Sequence, residues 1–429
     1  MKEKRKDRIQ EDNRLYSILR FWVDRSCRRS YRRFEVHGRR KLPKDGALIY
    51  GINHSNTLMD ALVVLATSRH KKVFMARGDI FANPKIAKML RFFRILPLFR
   101  IRNGVAAVKN NTDSMEQAVD VVHDRVGLYL FPEGRHRTKH SLLQLSKGIF
   151  HIALDSNREF GEDHPVYLVP VGIEYGDYFR FRSTCMVNFG EPINVTDFIK
   201  NSTEENEAVL MNQLRAMLSG KISELITYIP DDEDYDPTWE IVKMKNEKRP
   251  GSLYKKMLRN RATVEKIQKF KEENPEEAKN LFARVMEFAK HRVEHKVSVT
   301  SVAKPHPFWD FAWKFLVALV GFPYFAAATV VDALAWVPAV VIKSKLTDPA
   351  WGNTVCFATK LLIFPLIFIG GTIALFCLLP WYWALLGMVL LVFSYDIWYD
   401  YRELCRRMIS DLRWSFMRKL RQEYRSLQI

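Results

Sequence analysis

Cysteine is scarce and unpatterned in this sequence. The five residues stand at 27, 185, 356, 377 and 405, with no Cys-x-x-Cys pair and no zinc-type spacing. An odd, scattered set argues against a disulfide framework and fits a reducing compartment. No internal repeat is visible. The first apolar stretch, 15–23, is short and broken by Arg20, so no signal peptide is expected. Acids are outnumbered: 48 Asp and Glu against 67 Lys and Arg leave a formal charge of +19, which calls for an acidic partner. Neither aromatic platform motifs nor a recognition helix accompany that charge, so nucleic acid is not expected. Extensive disorder is excluded as well, because 48 % of the 429 residues are hydrophobic.

What is present is divided unevenly. A mean hydropathy of −0.18 averages a polar, basic stretch of some 300 residues with a strongly apolar one from 308 to 400. Residues 361–379 carry no charge, and 381–393 extend the apolar run after Pro380. A span needs about 20 residues, so 361–399 reads as a transmembrane hairpin. Lys343, Lys345 and Lys360 precede it and Arg402, Arg406 and Arg407 follow it. The positive-inside rule then places both ends on the cytoplasmic side, with Trp381, Tyr382 and Trp383 at the far interface. Residues 308–342 are interrupted by Pro323, Asp332 and Pro338 and read as a re-entrant or membrane hairpin. Residues 400–429 read as a basic cytoplasmic tail. The expectation is a multi-pass membrane protein whose preceding domains face the cytoplasm.

Those domains are read from periodicity. Residues 1–33 suggest a basic amphipathic helix, with Leu15, Ile18, Leu19 and Trp22 on one face. Both a membrane-interface helix and an ordinary surface helix fit it. From 34 to 195 short apolar runs at 47–51, 72–76, 127–131, 167–173 and 185–189 alternate with helical stretches at 60–67, 84–93, 113–124 and 147–155. That alternation predicts an α/β fold, a mostly parallel sheet flanked by helices. Residues 196–300 read as a charged, helical linker region. Its acidic interruption at 230–237 lacks the glycine and terminal glutamate of a calcium loop and reads as a solvated turn. No metal site is expected.

Four segments point to chemistry. Asn53-His54-Ser-Asn-Thr-Leu-Met-Asp60 follows one strand and opens a helix. A histidine at such a junction is held by rigid elements, and a nearby carboxylate can fix its tautomer and raise its basicity. Phe131-Pro-Glu133-Gly134-Arg135-His-Arg137 ends a second strand in a tight turn, and Lys147 follows near a helix start. Guanidinium groups hold phosphate in bidentate fashion. Ile95-Leu-Pro-Leu-Phe-Arg100-Ile-Arg102 is a short strand with a basic turn. Val169-Pro170-Val171 puts a proline inside an apolar strand, where it belongs at an edge or an irregularity.

Together, in this order, the four segments resemble the signature blocks of the glycerol-phosphate and lysophosphatidate acyltransferase family. The resemblance covers about 34–195 and is nearest the fungal type of glycerol-3-phosphate and dihydroxyacetone-phosphate acyltransferase. Two departures stand out. Five residues rather than four separate His54 from Asp60, and Arg135-His136-Arg137 replaces the commoner Thr-Arg-Ser.

The resemblance implies an O-acyltransferase of phospholipid synthesis. His54 is then the general base on the acceptor hydroxyl and Asp60 orients it. Glu133, Gly134 and Arg135 shape the acceptor pocket, and Arg100, Arg102, Arg137 and Lys147 attend the phosphate. The donor is an acyl-CoA or acyl-carrier-protein thioester, the acceptor a phosphorylated glycerol, and the surroundings membrane lipid. No cofactor is implied, since the thioester is already activated. Two alternatives stay open: acyl transfer to an amino-acid lipid, and a non-catalytic lipid-binding or membrane-remodelling protein on the same scaffold.

Overall fold

A computed structural model describes residues 8–98, 105–247, 251–302 and 304–427, and the side chains of all of these except 105–112. Arg100 and Arg102 lie outside the described residues. Eight strands are present among them: β1 (Arg33–His37), β2 (Ala47–Ile52), β3 (Lys72–Arg77), β4 (Ile95–Leu98), β5 (Gly127–Leu130), β6 (Val166–Tyr175), β7 (Thr184–Phe189) and β8 (Ile193–Asn194). The helices of the first half are α1 (Arg14–Arg29), α2 (Thr57–Leu65), α3 (Pro84–Phe92), α4 (Val105–His123), α5 (Gly148–Phe160), α6 (Val195–Lys200) and α7 (Glu207–Ser223). In the second half come α8 (Tyr235–Asn246), α9 (Leu253–Glu273), α10 (Pro275–Glu294), α11 (Val299–Val302), α12 (Pro307–Val331), α13 (Ala333–Ser344), α14 (Trp351–Leu362), α15 (Phe364–Leu378), α16 (Trp381–Phe416) and α17 (Arg418–Ser426).

The strands form one sheet in the order β1-β7-β6-β2-β5-β3-β4, with β8 added on β6. Every pairing is parallel except those of β6 with β7 and with β8. The mostly parallel sheet flanked by helices is therefore the one expected. Its central strands are apolar along nearly their whole length because helices cover both faces. Ile49, Val73, Leu128 and Leu168 lie in the core with Phe150 of α5 and Leu214, Leu218 and Ile222 of α7. This is why the first compact unit runs on to Ile226 rather than ending near 195: α7 supplies part of the sheet's cover.

Two sequence readings are refined here. Pro170 is not on an edge strand, since β6 lies between β7 and β2. It is at an irregularity, however. On one side of β6, β8 pairs with Tyr167 and Leu168 and β7 with Val171 to Tyr175. Pro170 falls in the gap, where its missing N–H interrupts no ladder. The region 196–300, read as a charged helical linker, has a core of its own. Val264 and Ile267 of α9, Phe282, Val285 and Phe288 of α10, and Ile241 of α8 pack with Trp414 and Leu420.

The second compact unit comprises Arg29–Arg32, Phe179–Ser183 and Thr227–Ile429. Three of its helical stretches are long and apolar enough to cross a membrane: Pro307–Val331, Trp351–Leu378 and Trp381–Phe416. The hairpin of α15 and α16 turns at Pro380, as read. In α12, Lys314 pairs with Asp411, Ala318 O accepts from Tyr401 Oη at 2.8 Å, and Thr329 Oγ1 accepts from Trp398 Nε1 at 3.0 Å. Helix α12 thus runs antiparallel to the C-terminal half of α16, which is the charged half.

Candidate active site

Parallel strands bring their C-terminal ends to one edge of the sheet, where α/β folds hold ligands. Three neighbouring strands meet there. β2 leads into His54, β5 leads into Phe131-Pro-Glu133, and β6 ends at Tyr175.

His54 Nδ1 lies 2.7 Å from Asp60 Oδ2. The longer spacing between them is absorbed at Thr57, which opens α2 at φ 47°, a left-handed conformation rare for a β-branched residue. That turn also aims the backbone N–H groups of Ser55 and Asn56 at Asp60 Oδ2, each at 2.7 Å. The other carboxylate oxygen accepts from the Tyr175 hydroxyl at 2.7 Å. Asp60 is fully buried, so these four donors, together with the positive pole of α2, replace water around it. Asn53 ties the loop to β6: its Oδ1 accepts from Ile173 N at 2.7 Å and its Nδ2 donates to Ile173 O at 3.0 Å.

With its Nδ1–H given to Asp60, His54 has the Nε2 lone pair left for a substrate. The ring is stacked on Phe131 at 4.6 Å between centroids, and His136 stands edge-on to it at 5.8 Å. The side chain retains 19 % of its exposure, enough to be reached.

Glu133 works through the backbone. Its Oε1 accepts from His54 N at 2.8 Å and its Oε2 from Leu143 N at 2.9 Å. Both oxygens of this buried carboxylate therefore hold the chain that frames the site. Burial pushes the carboxyl above its ordinary value, while the two N–H donors draw it down. Gly134 makes the turn possible: φ is 68° and its N–H donates to Phe131 O at 3.1 Å.

Of the basic residues, Arg137 is tied to the histidine through its backbone. Its backbone N–H donates to His54 O at 3.0 Å and its Nη2 to Ser141 Oγ at 2.6 Å. Arg135 and Lys147 are exposed, with Lys147 at the residue that caps α5. The positive pole of that helix and the Lys147 ammonium suit an anion. Sequence reasoning missed Tyr175, His136 and Asn53 as parts of the arrangement. Asn53 and His136 lay inside the quoted motifs. Tyr175 lies 115 residues from Asp60 and carried no local signal. Asn56 is also notable: it is fully buried, and neither polar atom of its side chain has a hydrogen-bond partner.

Residues 33–174 match the model of the Acyltransferase family. Glycerol-3-phosphate O-acyltransferase 2 of Saccharomyces cerevisiae is 28 % identical over 109 residues, a match covering 24 % of this chain and 14 % of the yeast protein. The matched stretch is thus a small part of that relative's length. The crystal structure of the 1-acyl-sn-glycerophosphate (LPA) acyltransferase PlsC from Thermotoga maritima aligns over 49 % of this chain and 79 % of its own, at 19 % identity and a TM-score of 0.35. Residues 33–174 thus form a domain of the Acyltransferase family.

Proposed function

We propose that this protein transfers an acyl chain from an acyl-CoA or acyl-carrier-protein thioester to a hydroxyl of glycerol 3-phosphate or of a lysophosphatidate. The observation that carries this reading is the 2.7 Å bond from His54 Nδ1 to Asp60, which leaves Nε2 as the base. His54 Nε2 takes the hydroxyl proton as the acceptor oxygen attacks the thioester carbonyl. The C–O bond forms, the C–S bond breaks, and the proton passes from His54 to the departing thiolate. Asp60 stabilises the imidazolium between these steps. Arg137, Lys147 and the exposed Arg135 receive the acceptor's phosphate, and Glu133 and Gly134 hold the backbone that frames it. The yeast relative, named a glycerol-3-phosphate O-acyltransferase, supports a phosphorylated glycerol as acceptor. Helices apolar enough to cross a membrane suit an insoluble product, and a cytosolic donor places the domain on the cytoplasmic side.

The test is direct. Purified protein is incubated with labelled acyl-CoA or acyl-carrier protein and a panel of acceptors. His54→Ala should lower turnover by about 10²–10⁴ while the chain stays folded and membrane-bound. Turnover near that of the parent in this variant overturns the mechanism.

A further inference from the structure

Helix α1 leaves its large apolar stripe outside the core. An amphipathic helix on a water-soluble domain turns its apolar stripe to the core. In α1 the face toward the domain buries Tyr16, Arg20, Ser26 and Cys27, and Arg20 lies there 3.5 Å from Asp24. Arg20 Nη2 donates to Ser68 O at 2.7 Å, and Arg28 donates twice to Ala66 O, at 2.9 and 2.6 Å. These carbonyls follow α2, and Arg39 takes the next one, Thr67 O, at 3.1 Å. A helix C-terminus has unpaired carbonyls and a negative pole, so three guanidiniums match it. The polar face of α1 is thereby bonded to the end of the helix that bears Asp60.

The opposite face carries Leu15, Ile18, Leu19 and Trp22, with Ile18 68 % exposed. Beside it lies α3, where the Phe92 ring meets Tyr16 of α1 edge-on at 6.2 Å. Among the residues of α3 none is buried, and Ile86 and Met89, with Phe93 just after the helix, face outward. Exposed cations surround this apolar ground: Arg14 and Arg25 on α1, and Lys85, Lys88 and Arg91 on α3, which has no acid. Two basic helices with unburied apolar faces are more than scattered surface residues.

We propose that α1 and α3 together seat the acyltransferase unit on an anionic lipid surface. Charge selects the occupant. A second copy of the chain would set these cations against their own kind, whereas anionic headgroups complement them. An in-plane helix buries its apolar face at the headgroup–acyl boundary and keeps its cations among the headgroups. The same helix then touches lipid on one side and holds the His54–Asp60 element on the other. This inference stands whichever acceptor the enzyme uses.

The full chain, with Cys377→Ser and Cys405→Ser, receives Ile18→Cys or Ile86→Cys and a fluorophore there. It is reconstituted in phosphatidylcholine vesicles with and without phosphatidylserine. Brominated lipids should quench both positions in anionic vesicles and leave a probe at Glu162→Cys untouched. Each cation strengthens seating about fivefold, so Lys85→Glu with Lys88→Glu should abolish most of the quenching at Ile86→Cys. Water-like, unquenched probes in both vesicles overturn the proposal. So does a disulfide-linked dimer through Ile18→Cys, which puts a second copy on the face. Equal quenching with and without phosphatidylserine overturns the anionic selection.

Discussion

The Tyr175 hydroxyl donates to Asp60 Oδ1 at 2.7 Å, on the carboxylate oxygen that His54 does not use. Tyr175 ends β6, while His54 and Asp60 follow β2, its parallel neighbour. The bond therefore ties the acid paired with His54 to a different strand, and Asp60 cannot turn without breaking it.

Tyr175→Phe should leave a buried carboxylate oxygen without its donor. Loss of a buried partner costs about 1–3 kcal/mol, read as a lower denaturation midpoint in detergent. The acid also gains freedom, so kcat should fall while both KM values hold. A variant with unchanged kcat shows that the backbone donors of Ser55 and Asn56 suffice to orient Asp60.

Lys147→Ala should weaken acceptor binding selectively. Lys147 caps α5 and is exposed, where the proposed acceptor phosphate would meet both its charge and the helix pole. A hydrogen bond to a charged group contributes about 1.5–3 kcal/mol, roughly tenfold to hundredfold in acceptor KM. A rise confined to the donor KM assigns Lys147 to the coenzyme or carrier instead.

Lys72 gives the fold a pH dependence. It is fully buried, with Nζ 3.2 Å from Leu65 O and 2.7 Å from Ser68 O. Burial, reinforced by Arg20, lowers its ammonium from 10.5 to about 6. Between these values the unfolded chain holds a proton that the folded chain does not. Stability contributed by this residue therefore rises with pH across the window and is lost as pH falls toward 6. Thermal unfolding across the window should show that slope in the parent and not in Lys72→Met. An equal slope in both assigns the dependence to another group.

The apolar hairpin should cross the bilayer and α12 should not. Placing the uncharged run 315–331 at hydrocarbon depth would bring Asp400, Arg402, Glu403, Arg406 and Arg407 of α16 to the same depth, because the two helices lie side by side. A charged side chain at a span's centre costs about 2.5–3.5 kcal/mol, and five exceed any gain from α12. At 1.5 Å per residue, α13 with its 12 residues is too short to cross back. Cysteines placed by His306→Cys and Lys345→Cys, in a chain lacking Cys377 and Cys405, should react with an impermeant reagent from the same side. Reaction from opposite sides means that α12 crosses.

Much of the site was legible in the sequence because its motifs sit at strand ends. An apolar run followed by Asn53-His54, or by Pro-Glu133-Gly134, marks where a strand stops and its side chains become accessible. The charge-free runs after 308 were equally plain, since length and apolarity are local quantities. Three features were not legible. Periodicity found the stripe on α1 but cannot say which face of a helix packs, and here the stripe stays outside while Tyr16, Arg20, Ser26 and Cys27 are buried. Glu133 read as part of a pocket wall, yet its carboxylate is taken up by two backbone N–H groups. The region 196–300 read as a charged linker, since its charges mask the widely spaced apolar positions that pack with Trp414.

The sequence by itself determined the central strands, the helices between them, the acyltransferase motifs and the apolar C-terminal third. Each of these follows from residues within one turn or one strand of each other, whose torsions and burial are coupled through the backbone. Only the tertiary structure decided that Tyr175 completes Asp60, that α7 belongs to the sheet's core, and that Pro170 falls in a ladder gap. These depend on strand order, which sets β6 beside β2 although more than a hundred residues separate them. Burial of the whole sheet selects that order, and no local pattern encodes it.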